Sequence, residues 1–297
     1  MILKPLRFLL AVSSVAILSL TPAYRTLSEQ NLEIETIAEF TDTRPGNIAV
    51  TPQNRIFITQ QPLDNPTLRV VEVLPNGTKV PFPNLDWADG SETGSVGFTS
   101  TLGIASDQKG VVWVLDMGGA ETPAQIVAWD TVADRLHKTI EIPGDVMTPI
   151  SFLQDFALDE ERGQIYIADM TFPSPGINPQ PAFVVIDVET GSARRILEGD
   201  PSLMPVEHDV VINDSLVGTK LENGQSVPWR LGLNPIAIDP AFDWVYFGTI
   251  NGNDVFRLPA ESLADENISR EALSTQIERY AEKRPSDGIA VDAEGRV

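Results

Sequence analysis

Four side chains with oxygen chemistry fall at one phase of an internal repeat: Asn47, Asp155, Asn234 and Asp287, each just ahead of a short apolar run. Leu102 and Gly103 hold the equivalent place in the second copy. Two carboxylates and two amides brought to one axis could hold a hard cation such as calcium, or an amine. Each carboxylate could instead do no more than accept backbone N–H groups where its strand begins.

Two further groups are candidates. His208, one of two histidines in the chain, lies in an inserted segment, where its imidazole could act as a general acid or base near neutrality. Its neighbours Glu207 and Asp209 give it the look of a metal triplet, but successive strand residues face opposite ways and cannot all reach one ion. Residues 81–100 combine Asp86, Trp87, Asp89, Glu92 and Phe98, so that Trp87 and Phe98 offer aromatic faces beside carboxylates. That mixture suits a cationic aromatic ligand, and it equally suits a polar loop pinned to the core by one Trp. The chain has no cysteine, which removes disulfide-linked partners and, with only two histidines, zinc or copper sites built from those ligands. No metal ligand set is expected and no cofactor, with calcium left open. Neither a Gly-x-Ser-x-Gly elbow nor a phosphate loop is present.

The elements that must position these groups are written in the repeat itself. An apolar-Ala-apolar phrase, a turn and a second apolar strand recur around Ala49, Ala105, Ala157, Ala237 and Ala290, with spacings of 56, 52, 80 and 53 residues. The turns carry Asp, Gly, Pro and Asn, which is hairpin chemistry. Further strand-like stretches follow the middle phrases, making four strands per period of about 50 residues, the pattern of propeller blades. The fold class read from this is all-β, a β-propeller of residues 32–297. The recurring alanine is expected to relieve crowding of the innermost strands at the axis. The long interval holds an insertion of about 27 residues, placed at 172–181 and 201–229, and such loops commonly build binding sites. With 81–100 and 143–152, it should roof the channel end that the four oxygen-bearing side chains face.

Composition narrows the partners. There are 42 acidic and 21 basic residues, a formal charge of -21, so a nucleic-acid partner is not expected and a small-molecule ligand is. At the start, Lys4 and Arg7 precede an apolar run that ends near Thr21 and Ala23, the pattern of a signal peptide over residues 1–23. The run is shorter than the roughly 20 residues a membrane span needs, so the expectation is a secreted protein, extracellular or periplasmic, not an integral membrane protein.

The order of these motifs resembles the major royal jelly protein/yellow family, in its bacterial, dopachrome tautomerase-related branch. The resemblance is carried by the strand Val111-Val112-Trp113-Val114-Leu115-Asp116 with residues 123–130, by 153–159 through 165–169, and by 233–247 through 258–263. It implies six blades, so the sequence reads as a six-bladed propeller truncated in its fifth blade, with C-terminal blades missing. Residues 31–40 would then be a closing strand with no blade to complete, and the isolated chain would fold poorly. The resemblance also implies a secreted protein that binds or isomerises a small aromatic compound of catechol or indole type, with Asp155 and Asp287 as base and stabiliser. A calcium-dependent lactonase of the gluconolactonase kind, and a binding scaffold without turnover, stand as alternatives.

Overall fold

An apolar strand buried on both faces needs neighbours in two directions: ladder partners within its sheet and another sheet on either side. The computed structural model, which describes residues 35–90, 96–172 and 177–297, meets that need with four antiparallel four-stranded sheets. The first holds β1 (Pro45–Val50), β2 (Ile56–Gln60), β3 (Val70–Val73) and β4 (Lys79–Pro81). The second holds β5 (Thr101–Ser106), β6 (Val111–Asp116), β7 (Gln125–Asp130) and β8 (Arg135–Glu141). The third holds β9 (Leu153–Asp159), β10 (Gln164–Asp169), β11 (Ala182–Asp187) and β12 (Ala193–Ile196). Two small hairpins follow in the insertion, β13 (Val211–Ile212) with β14 (Ser215–Leu216) and β15 (Gly218–Lys220) with β16 (Ser226–Pro228). The last sheet holds β17 (Leu233–Ile238), β18 (Trp244–Thr249), β19 (Asp254–Pro259) and β20 (Glu278–Glu282).

The first strands stand side by side in chain order, β1 beside β5, β5 beside β9 and β9 beside β17, which makes each sheet a propeller blade. Alternate residues of one strand then serve different cores. Ile165 and Ile167 on β10 pack with Trp113, Leu115 and Ile126 of the second blade, whereas Tyr166 and Ala168 pack with Val245 and Phe247 of the fourth. A third core joins the first two blades through Phe57, Val70, Ile104 and Val112.

The repeat holds its outer turn with one device. Asp107, Asp159, Asp239 and Asp292 each use Oδ1 to accept two backbone N–H groups, from residues 109 and 111, 161 and 162, 243 and 244, and 294 and 296. In the first copy Thr51 stands there, accepting from Arg55 N.

Three expectations are corrected. The described residues hold four blades, not the six the resemblance implies: the fifth phrase makes its Asp292 turn, but residues 289–291 are not a strand because they have no ladder partner. Residues 35–40 form no strand either; Ala38 and Phe40 pack on Ile58, Val71 and Val73, covering the far face of the first blade. The alanines answer a different steric demand. Ala49, Ala105, Ala157 and Ala237 stand across the ladder from Phe57, Trp113, Tyr166 and Tyr246, a small residue opposite each large ring. Crowding between the first strands is met at Gly103, where a Cβ would lie 2.9 Å from the Phe156 ring and 3.1 Å from Asp155 Cα. Residues 1–34, with the expected signal peptide at 1–23, lie outside the described residues, and among the described ones no helix is long and apolar enough to cross a membrane.

Thr59 fastens the first two blades. Its fully buried hydroxyl accepts from Asn47 N at 2.8 Å and donates to Leu102 O at 2.6 Å. Thr59→Val keeps the shape and strands both partners, so urea unfolding should show a loss of about 1–3 kcal/mol; an unchanged midpoint would remove Thr59 from this role.

Candidate functional site

What aims side chains into the axis is a β-bulge at the head of every first strand. Residues 46 and 47 together oppose Thr59, 102 and 103 oppose Leu115, and 234 and 235 oppose Gly248; in β9 the extra residue is Gln154. A bulge turns its side chains out of the regular alternation. Asn47, Gln154, Asp155 and Asn234 all sit at these bulges. The chain after β20 returns to meet them: Asp287 and Gly288 share a chamber of about 90 Å³ with Gly46, Asn47, Leu102, Gln154 and Asp155.

The four oxygen-bearing side chains therefore meet. Asn234 Nδ2 donates to Asp287 Oδ1 at 2.9 Å. Asp155 Oδ1 accepts from Phe156 N, and Asn47 Oδ1 accepts from Ile48 N, both at 2.8 Å, the same local bond at the same repeat position. Burial pushes the Asp155 carboxyl up to about 7, opposed by the Phe156 N–H and Asn47 hydrogen bonds and reinforced by the nearby Asp287 charge.

Beyond this chamber, and sharing Gln154 and Asp287 with it, opens a cavity of about 320 Å³. Its aromatic wall is a chain of rings: Phe152 and Phe172 with centroids 5.5 Å apart, then Trp229 edge-on to Phe172 at 5.6 Å. Asn234, Ser286, Asp287 and Arg44 also line it. Arg44 is clamped by Asp64 through Nε at 2.9 Å and Nη2 at 2.7 Å. The rings come from the segment entering β9, the one leaving β10 and the end of the insertion. One buried amide holds the insertion there. Asn251 Nδ2 donates to His208 O and Trp229 O, both at 2.9 Å, and its Oδ1 accepts from Leu231 N at 2.8 Å.

Other candidates lie elsewhere. Trp87, on the short helix α1 (Leu85–Ala88), packs with Phe98 and Trp129 at centroid distances of 5.5 and 6.4 Å, and Phe98 is buried in the core of the first two blades. Neither lines the cavity, so Trp87 and Phe98 act as anchors of their loop; residues 91–95, with Glu92, lie outside the described residues. The His208 side chain is exposed and borders a separate hollow with Met204 and Asp254, away from Asp155 and Asp287. Arg230 pairs with both of its neighbours, Asp209 at 3.0 Å and Glu207 at 3.7 Å. Among the described residues no group of three or more His, Asp or Glu is placed to hold a metal ion. At the axis Asn47 and Asp155 each commit an oxygen to a backbone N–H, short of the six to eight oxygens calcium takes.

Phe152, Phe172 and Trp229 are not among the expected site residues; they stand at the edges of the segments expected to roof the channel, 143–152, 172–181 and 201–229, and that edge position is the signal the sequence offers.

The fold and site define a class: a β-propeller with an aromatic-walled cavity over one mouth of its axis. The family model described as major royal jelly protein matches residues 99–297, and the chain belongs to that family. The match takes in Asp155, Asn234, Asp287 and the three cavity rings. Major royal jelly protein 9 of Apis mellifera is 37% identical over 105 residues, which are 30% of this chain and 23% of that protein. Among solved structures, a calcium-binding regucalcin of Agrobacterium tumefaciens superposes with a TM-score of 0.47 at 14% identity, covering 87% of this chain and 68% of its own. A gluconolactonase of Xanthomonas campestris gives 0.40 at 13% identity, covering 72% and 58%. At these values the likeness defines no activity.

Asn251→Leu leaves Leu231 N and the His208 and Trp229 carbonyls without this partner, so amide exchange across 206–231 should quicken while blade amides keep their protection; uniform quickening would mean Asn251 stabilises the whole fold instead. Asp155 binds its proton more tightly folded than unfolded, so its contribution to stability is complete below about pH 4 and is lost as pH rises through about 7. Asp155→Asn should therefore be more stable than the parent at pH 8, on the order of 1–3 kcal/mol since each tenfold change in acidity is worth about 1.4 kcal/mol. The gain should vanish at pH 4, and an equal gain at both pH values would count against this assignment.

Proposed function

We propose that the protein binds a small aromatic compound of catechol or indole type in the 320 Å³ cavity and isomerises it by proton transfer at Asp287 and Asp155. The observation that carries this reading is the pairing of a continuous wall of rings, Phe152, Phe172 and Trp229, with a floor at which Asp287 meets Asn234. A flat ring gains from stacking against such a wall, and a carboxylate at its edge can take a proton from carbon beside a carbonyl or iminium. Asp287 borders both spaces and Asp155 only the inner one, so Asp287 meets the ligand and Asp155 stands behind it. A carboxyl held near neutrality is suited to accept and return a proton. In the same reading, the leader-like pattern of residues 1–23 supports a location outside the cytoplasm.

The test is thermal unfolding with dopamine in large excess. A ligand that binds only the folded state adds about 2.7 kcal/mol at a hundredfold excess over its Kd. The melting temperature should rise, Phe172→Ala and Asp287→Asn should abolish the rise, and Asp155→Asn should spare binding while lowering turnover of a dopachrome-type substrate at least tenfold. A rise with calcium and none with dopamine would replace this reading with a metal-dependent one.

A further inference from the structure

The second strands of blades two and three lead into matching triplets, Asp116-Met117-Gly118 and Asp169-Met170-Thr171. The two turns are built alike. Asp116 Oδ1 accepts from Gly118 N at 3.1 Å and Asp169 Oδ1 from Thr171 N at 3.2 Å, while Met117 N donates to Ser100 O and Met170 N to Phe152 O. The third residue is left-handed in both, with φ of 69° at Gly118 and 52° at Thr171. Glycine takes that conformation freely, whereas a β-branched residue is strained in it. The third blade thus carries a strain at Thr171 that the second blade avoids.

What threonine adds is a hydroxyl. Thr171 is buried between Met170 and Phe172, both of which line the aromatic cavity. Its Oγ1 accepts from Gln180 N at 3.1 Å, and Arg195 Nη2 takes the other side of that residue, donating to Gln180 O at 2.6 Å. Arg195 Nη1 donates to Asp169 Oδ2 at 2.6 Å, and Asp169 Oδ1 also accepts from Phe152 N at 2.7 Å. A carboxylate, a guanidinium and a hydroxyl therefore join the segment entering β9, the turn leaving β10 and the approach to β11. Phe152 and Phe172 are the rings this unit carries. A glycine at 171 would keep the turn and lose the tie to Gln180.

We infer that Thr171 is a positioning residue of the aromatic cavity: its hydroxyl, held in a strained turn, fixes the Phe172 ring beside Phe152 and Trp229 before a ligand arrives. A wall whose rings are already set loses less freedom on binding than one its ligand must order, so the tie acts on affinity more than on folding. The inference rests on the aromatic-ligand reading of the same cavity for its effect on binding, but not for the placement of the ring.

The experiment compares Thr171→Gly and Thr171→Ser with the parent in the full chain. Three quantities are measured: the melting temperature, dopamine affinity by calorimetric titration, and acrylamide quenching of Trp229, taken as the signal lost in Trp229→Phe. Trp229 reports on its neighbour because it lies edge-on to Phe172 at 5.6 Å. Glycine removes the strain together with the hydroxyl, so the melting temperature should hold at the parent's value. Dopamine affinity should fall about 3- to 10-fold in that variant, and Trp229 should become easier to quench. Serine keeps the hydroxyl without the branch and should restore both. Parental affinity and quenching in Thr171→Gly would overturn the inference, and so would a serine variant that behaves like the glycine one. A lower melting temperature or a failure to fold in Thr171→Gly would also overturn it, making Thr171 a residue that holds the fold. If no form binds dopamine, the aromatic reading falls, and the quenching of Trp229 still decides whether Thr171 places the ring.

Discussion

The second and third blades are apolar on both faces, and that single constraint orders the rest. A strand such as β10 cannot satisfy it against one neighbour: Ile165 and Ile167 need the second blade while Tyr166 needs the fourth. Sheets that must be covered on both sides stack around an axis, and stacking forces their first strands together. At that convergence side chains run out of room, as Gly103 shows beside Asp155 and Phe156. The bulges at the strand heads relieve the regular ladder where it is most crowded. In doing so they turn Asn47, Asp155 and Asn234 toward a common space.

The polar groups at the axis owe their properties to the same packing. Asp155 is held near neutrality chiefly because burial removes water from it, with Asp287 adding a like charge nearby. Asn234 is immobile because it is buried and already bound to Asp287. Neither property belongs to the residue type; each comes from its place on a bulge at the centre of a ring of sheets.

Much of this was legible in the sequence because it is periodic. The alanine phrases mark β1, β5, β9 and β17, and counting back from the alanines picks out Asn47, Asp155 and Asn234. The cavity wall was not legible in that way. Phe152, Phe172 and Trp229 lie outside the repeat, in segments whose course depends on the tie from Asn251 to His208 O and Trp229 O, a contact between residues 22 and 43 positions apart. Trp87 and Phe98 misled for the converse reason, since a ring pinning a loop and a ring lining a site have the same composition around them. The alanines were placed correctly and explained wrongly: their partners across the ladder, Phe57, Trp113, Tyr166 and Tyr246, become visible only once register is known.

The tie made by Asn251 separates two kinds of variation. Because one side chain in the turn after β18 secures both His208 and Trp229, the hairpins β13 to β16 between them hang from the fourth blade as a closed loop. Their residues are largely exposed and make no rung of any blade. Substitutions, or changes of length, can accumulate there without reaching the stacked sheets, while the ring at the loop's end stays over the cavity. Divergence among descendants of such a chain can therefore reshape the rim of the pocket and leave the axial carboxylates untouched.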